Sequence, residues 1–188
     1  MRFSIYTLLL LLLVISCTTP QSSTIQTKPA EVVFKNVTIQ AWQTSQYCGG
    51  ARPSDEMLQE FQTPKPLSGQ LCFIRKSETN KISSTPVASA TTDNLGKINI
   101  ALAPGTYCLV LPNKVDSAAY KMYLTKFGEA TPNYSAIDKK CLDQWFKKPE
   151  LVFTVTDAKQ PTTAEFTIHH PCSWHTIPCA DYSGPLPP

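Results

Sequence analysis

Hydrophobic and polar residues alternate along residues 33–41, so that Val37, Ile39 and Ala41 fall on one face of an extended chain and polar residues occupy the positions between them. A period of two residues indicates a β-strand with one buried face. Six later runs have the same short, β-branched and aromatic character. They predict strands at residues 69–76, 86–91, 97–102, 106–111, 150–156 and 163–169.

Turn-forming residues separate these runs. Residues 93–96 contain Asn94 and Gly96, which tolerate positive φ, and residues 103–105 place a proline directly before a glycine. The run 106–111 is apolar at most positions on both faces, which predicts a central strand. Short strands at this spacing predict a mainly β fold, an antiparallel β-sandwich of about seven strands.

Two segments have a helical rather than a strand pattern. Residues 54–61 follow Pro53 and begin with Ser54, a good N-cap, with two acidic residues in the first turn. Residues 135–147 place five apolar side chains on one helical face, and Pro149 is expected to stop the helix just beyond them. The five apolar residues are Ile137, Cys141, Leu142, Trp145 and Phe146. We expect both short helices to cover an edge or an open end of the sandwich, with this apolar face in the core.

The amino terminus contains a continuous apolar run at residues 8–15, preceded by Arg2 and followed by Ser16 and Cys17. The run is much shorter than the roughly 20 residues that a membrane-spanning helix needs, so it is interpreted as the core of a signal peptide. Residues 14–17 resemble the lipobox of bacterial lipoproteins. The resemblance implies cleavage after Ser16 and acylation of Cys17, which would hold the mature protein at a membrane.

This interpretation divides the chain into a signal peptide at 1–16, a lipid-anchored flexible tether at 17–30, a β-sandwich domain at 31–180 and a tail at 181–188. The tether is polar and contains prolines. Thr18, which is not aspartate, favours the outer membrane of a Gram-negative cell by resemblance to the lipoprotein sorting rule of enteric bacteria. The predicted location is therefore the bacterial cell envelope.

Composition narrows the functional classes. The chain has 16 prolines, 7 glycines and 42% hydrophobic residues, which is typical of a folded, loop-rich domain. The formal net charge is only +3, which gives no electrostatic footprint for nucleic acid. We therefore expect no nucleic-acid partner.

The predicted compartment determines how many of the cysteines are expected to form disulfides. Of 7 cysteines, the lipobox uses Cys17. An even number then remains in an oxidising environment, which predicts three disulfides. Sequence alone permits many pairings. Chain order weakly favours pairs within a loop and between strand-like runs, so the preferred set is Cys172 with Cys179, Cys72 with Cys108, and Cys48 with Cys141.

All three histidines lie within residues 169–179, together with two cysteines. Imidazole and thiolate are good ligands for zinc and copper, so His169, His170 and His175 are candidate metal ligands. Two observations favour a plain disulfide loop instead. A bridge between the cysteines would remove both thiolates, and adjacent strand residues such as His169 and His170 point to opposite faces. The expectation is no cofactor, with zinc or copper as the alternative.

Catalytic motifs are missing from the sequence. It has no nucleophile elbow, no His-Glu-x-x-His pair and no phosphate-binding glycine loop. A pair of Cys179 with His175 would need a free thiol, which an oxidising compartment removes. We therefore predict no catalytic residues and no enzymatic activity.

Residues 69–111 carry a further resemblance. Their segments 92–98 and 102–107 follow a strand with the pattern T-D-x-x-G-x and then L-x-P-G-x-Y. This order is similar to that of carboxypeptidase-regulatory-like domains, which are prealbumin-like seven-stranded sandwiches. The resemblance implies a hairpin at residues 93–96 and a mostly non-catalytic role. The predicted function is a lipid-anchored binding or structural module, with the membrane as one partner and a protein or glycan as another.

Overall fold

Eight β-strands and three α-helices form the part of the chain that the computed structural model describes, residues 33–185. The predicted signal peptide, Cys17 and the tether lie outside the described residues. The strands are β1 (Lys35–Ser45), β2 (Lys65–Pro66), β3 (Leu71–Arg75), β4 (Ala88–Thr91), β5 (Lys97–Leu102), β6 (Gly105–Val110), β7 (Leu151–Val155) and β8 (Thr162–His170). The helices are α1 (Asp55–Gln62), α2 (Ser117–Phe127) and α3 (Lys139–Lys147).

The strands form two four-stranded sheets. In the first sheet, β1 pairs with β5 and β2 along one edge and with β8 along the other. The second sheet has the order β4-β3-β6-β7, so β6 is central as predicted. The predicted β-sandwich is therefore confirmed. Two details differ from the prediction: β2 is an additional strand, and β1 pairs with β8 in parallel.

The core lies between the sheets and follows from the period of two. Val37 and Ile39 of β1 are fully buried against Ile98 of β5. From the second sheet, Ile74 and Leu109 are also fully buried. Removing each such side chain from water stabilises the folded state by about 2 kcal/mol. Burial of these alternating positions therefore favours packing of the two sheets against each other.

The turns at residues 93–96 and 103–105 form where expected, but each connects the two sheets. β4 and β6 belong to the second sheet and β5 to the first, so the implied hairpin at 93–96 is wrong. The Asp93 carboxylate accepts hydrogen bonds from the backbone N–H groups of Leu95 and Lys97, both at 2.8 Å. These bonds shape the loop locally, while the strands on either side of it separate into different layers.

We expect Gly96→Ala to lower the free energy of unfolding by about 2 kcal/mol, as measured by urea denaturation. Gly96 has a φ of 74°, and an added Cβ would lie 2.5 Å from the carbonyl oxygen of Ala41. Gly69 has a φ of 72° with nothing within 4 Å of such a Cβ. Gly69→Ala is therefore the matched control, with a loss of about 1 kcal/mol. Equal losses would contradict a role for the Ala41 contact.

The helices match the prediction in part. The Ser54 hydroxyl caps α1 by accepting a hydrogen bond from Met57 N at 3.3 Å, as expected. α3 begins after Asp138, later than predicted, because the residues before it are extended and bonded elsewhere. Ser135 N donates to Asp181 O at 2.9 Å. α2 was not predicted, since its sequence has a weak helical period.

α2 and α3 pack into a second hydrophobic cluster outside the main core. Ile137, Leu142 and Phe146 are its buried members, which confirms part of the predicted apolar face. Beyond residue 180, Ser183 N donates to Asn133 O at 2.9 Å. The folded part therefore continues past the predicted domain boundary. None of the helices in residues 33–185 combines the length and apolar character needed to cross a membrane.

Candidate functional site

The disulfides differ from the preferred set. Cys48 is bonded to Cys172 with an S–S distance of 2.09 Å, and Cys141 is bonded to Cys179 at 2.07 Å. The predicted bridges between Cys172 and Cys179 and between Cys48 and Cys141 are therefore wrong. Both actual bridges attach the carboxyl-terminal segment to distant parts of the domain, the first just beyond β1 and the second in α3.

Cys72 and Cys108 are buried free thiols, so the third predicted bridge is also wrong. They lie on neighbouring strands of the same sheet. Ile74 is aligned with Leu109, and Arg75 with Cys108. Because side chains alternate along a strand, Cys72 shares the inner face with Ile74, while Cys108 points to the other face. The two sulfurs cannot meet without a change of register.

We expect neither of these thiols to react with iodoacetamide in the folded protein, and both to react in denaturant. Burial raises the pKa of Cys72 to about 12, with a further contribution from Glu150. Burial also raises the pKa of Cys108, although Arg75 opposes the shift. The thiolate is the reactive form, so both stay inert. The measurement is mass spectrometry of labelled protein carrying Cys17→Ser; labelling of either thiol before unfolding would contradict it.

An open cleft of about 550 Å³ lies beside the end of β8. The consecutive residues 167–171 all line it, although their side chains alternate between the two faces of the sheet. The cleft therefore runs along the edge of β8. The other lining residues come from the residue before β3, the loop after β6, α3, the residue before β7 and the disulfide-tied segment. They are Gln70, Leu111, Pro112, Asn113, Lys114, Trp145, Glu150, His175, Thr176 and Pro178.

A buried ion pair lies in the wall opposite β8. Lys114 Nζ is 2.8 Å from Glu150 Oε1 and donates to the backbone carbonyl of Lys148 at 3.2 Å. The same ammonium lies 4.3 Å from the centre of the Trp145 ring, in the geometry of a cation–π contact. The lysine side chain is only 5% exposed and the glutamate 24%. The pair therefore fixes this wall and leaves Glu150 partly open to the cleft.

Asn80 supports that wall from behind. Its Nδ2 donates to the backbone carbonyls of Lys114 and Phe146, both at 2.8 Å. Its own backbone N–H donates to Lys147 O at 3.0 Å. One buried side chain thus connects the loop after β6 to the end of α3. The cleft wall is held by polar contacts as well as by packing.

All three predicted metal-ligand candidates line the cleft. His169, His170 and His175 are exposed, and His169 Nδ1 lies 3.1 Å from the hydroxyl oxygen of Thr44. Sequence reasoning placed His169 and His170 on opposite faces, and the strand edge lets both reach one cleft. Within residues 33–185, however, no three His, Cys, Asp or Glu side chains are close enough together to hold a metal ion.

Sequence reasoning missed Lys114, Glu150 and Asn80 as parts of this site, and it assigned Trp145 only to the core. A lysine in the loop after β6, two residues beyond Pro112, looks like an ordinary surface residue in the sequence. Only the packing of α3 against that loop buries it. The sequence feature that came nearest to indicating this site is the run of charged residues Lys147, Lys148 and Glu150, which follows the aromatic residues of α3.

No protein-family model matches the chain, and no curated protein matches it. Among solved structures it is similar to a shaft pilin from Lactobacillus rhamnosus GG, at 13% identity over 74% of this chain and 50% of that chain, with a TM-score of 0.33. It is also similar to a minor pilin from Streptococcus agalactiae, at 16% identity over 84% and 48%, with a TM-score of 0.32. The chain spans about half the length of these pilins. At this TM-score the likeness assigns neither a family nor an activity.

Proposed function

We propose that the chain is a lipid-anchored lipoprotein of the bacterial cell envelope whose β-sandwich binds a protein or glycan of the envelope without catalysing a reaction. The observation that carries this proposal is the cleft beside β8. Its walls are held by two disulfides and a buried ion pair, so little ordering would be needed when a ligand enters. A pre-formed cleft of this size with a few polar groups is typical of binding sites.

The lining chemistry favours binding over catalysis. The cleft offers imidazole and amide groups for hydrogen bonds and the Trp145 ring for stacking. Neither free thiol lines it, and both are buried elsewhere. The carboxypeptidase-regulatory-like resemblance of residues 69–111 supports the same class of role, although the chain crosses between sheets where a hairpin was expected.

The proposed lipid anchor is inferred from residues 14–17, which resemble a lipobox. The two disulfides support the proposal that the domain lies in an oxidising compartment. Cys17→Ser should abolish incorporation of labelled palmitate. For the wild-type chain, density-gradient separation of the two membranes should place the lipidated protein in the outer membrane, as Thr18 favours. Palmitate labelling that survives Cys17→Ser would refute the proposed attachment site.

Cleft binding is tested by a photoreactive amino acid placed at Asn113, which is exposed in the cleft wall. Irradiation of whole cells should give an adduct, whose added mass distinguishes a glycan from a protein. The same probe at Lys159, an exposed residue outside the cleft lining, should give none. Introducing His175→Ala into the protein that carries the probe at position 113 should lower the yield of the adduct. No adduct at Asn113, or equal adducts at both positions, would overturn the proposal.

Zinc or copper binding is the second candidate, because three exposed histidines line one cleft. The side chains would have to rearrange to provide three ligands. Metal analysis of protein purified without chelator separates the two functions. One equivalent of zinc or copper that is lost in His175→Ala would favour the metal site, and less than a tenth of an equivalent would favour ligand binding alone.

A further inference from the structure

β8 is an edge strand of the first sheet. Within residues 33–185 it pairs only with β1, and no strand is hydrogen-bonded to its other side, where the cleft lies. It spans 9 residues, whereas the edge strands β4 and β7 of the second sheet have 4 and 5. Natural edges are usually kept from pairing by short length, lysine or proline. The sequence of β8, TTAEFTIHH, has neither of those residues.

The backbone groups on the free side can be assigned. The carbonyl of His170 accepts a hydrogen bond from Gln46 N at 3.0 Å, so His170 points its backbone groups towards β1. Because these groups alternate along a strand, residues 163, 165, 167 and 169 point theirs to the free side. The side chains of all four residues are exposed, and the cleft leaves open space beside residues 167–171.

We propose that this edge pairs with β8 of a second copy of the chain, antiparallel about a twofold axis at Thr167. In this register Thr167 lies opposite Thr167 of the partner subunit, and Glu165 lies opposite His169 of the partner subunit. The symmetry forms the carboxylate–imidazole pair twice. On the inner face, Phe166 lies opposite Ile168 of the partner subunit, an aromatic and β-branched pair that extends the core.

The sequence of β8 favours this register over its neighbours. Only residues that point to the free side can form hydrogen-bonded pairs, so the register can shift only in steps of two. A shift one way places Pro171 of the partner subunit, which has no N–H, opposite Glu165. A shift the other way places Thr167 of the partner subunit opposite Glu165 and breaks both carboxylate–imidazole pairs. The inference goes beyond ligand binding in the cleft, since it concerns association of the chain with itself.

The test uses the full chain with Cys17→Ser, secreted and purified without lipid. Light scattering coupled to size exclusion should give the mass of a dimer. Thr167→Pro should give a monomer with an unchanged far-ultraviolet spectrum, because the lost N–H faces away from β1. Thr167→Cys should cross-link as a dimer, since hydrogen-bonded pairs place Cα atoms about 5.5 Å apart. Thr163→Cys, far from its symmetry mate, should not cross-link.

A charge exchange tests the partner pairs directly. His169→Glu places two carboxylates opposite each other twice, so it should raise the dimer dissociation constant about tenfold. Glu165→Lys removes the carboxylate that faces the imidazole and should raise the same constant. The double variant places a lysine opposite a glutamate twice and should return that constant to within about threefold of the original. A monomer at all concentrations, a dimer unaffected by Thr167→Pro, or a double variant as weak as the single ones would overturn the proposal.

Discussion

Replacing Cys48 and Cys172 together by alanine is expected to lower the free energy of unfolding by about 4 kcal/mol, as measured by urea denaturation. The bridge connects residues 124 positions apart, from the loop after β1 to the segment after β8. Closing such a long loop removes much of the conformational freedom of the unfolded chain. Substituting both cysteines also avoids leaving a reactive thiol at the exposed Cys48.

The bridge between Cys141 and Cys179 provides the matched control. It spans only 38 positions, so its removal by paired alanine substitutions should cost about 1 kcal/mol less on the same entropic argument. Each double variant keeps the other bridge intact. A larger loss for the shorter bridge would show that native packing of the carboxyl-terminal segment, rather than loop closure, dominates the effect.

The strands could be predicted because their signal is local. Val37 and Ile39 face the core whichever strands surround them, since alternation alone decides which side is apolar. The Ser54 cap was equally local, as its hydroxyl bonds to a backbone N–H three residues away. Sheet membership was not local. Asp93 and Gly96 make the expected turn, yet the turn sequence does not determine whether the next strand pairs with the last one or crosses to the other sheet.

Cysteine pairing failed for the same physical reason. Whether Cys72 can reach Cys108 depends on the register between β3 and β6, which places the two side chains on opposite faces. Cys172 and Cys179 are close in sequence, but the short segment between them bridges two separate parts of the fold instead of closing on itself. Spacing along the chain carries no information about either arrangement.

Some residues of the candidate site could be predicted from the sequence and others could not. The histidines stood out in sequence because their chemistry is uncommon and they lie within a few residues of each other. Lys114 and Glu150 did not, because each resembles a solvated surface charge until α3 and the loop after β6 pack together. Asn80 is a buried amide whose role depends on two carbonyl groups far away in sequence. Burial of a polar group is a tertiary property.

Glu150→Ala is expected to lower the free energy of unfolding by about 3 kcal/mol, again measured by urea denaturation. The substitution leaves the Lys114 ammonium buried, with only the Lys148 carbonyl and the Trp145 ring beside it. Removing one partner of a buried ion pair lowers the free energy of unfolding more than removing both partners does, because the charge that remains is buried without an opposite charge.

Lys114→Met provides the comparison, since it leaves Glu150 with access to water through the cleft and should cost less than Glu150→Ala. The double variant Lys114→Met with Glu150→Ala should be more stable than Glu150→Ala alone, because no unpaired charge stays buried. If the losses of the two single variants simply add, the pair does not couple across the cleft wall. A coupling energy that stabilises the native protein would instead show that Lys114 and Glu150 interact across the cleft wall, in addition to the backbone pairing of β6 with β7.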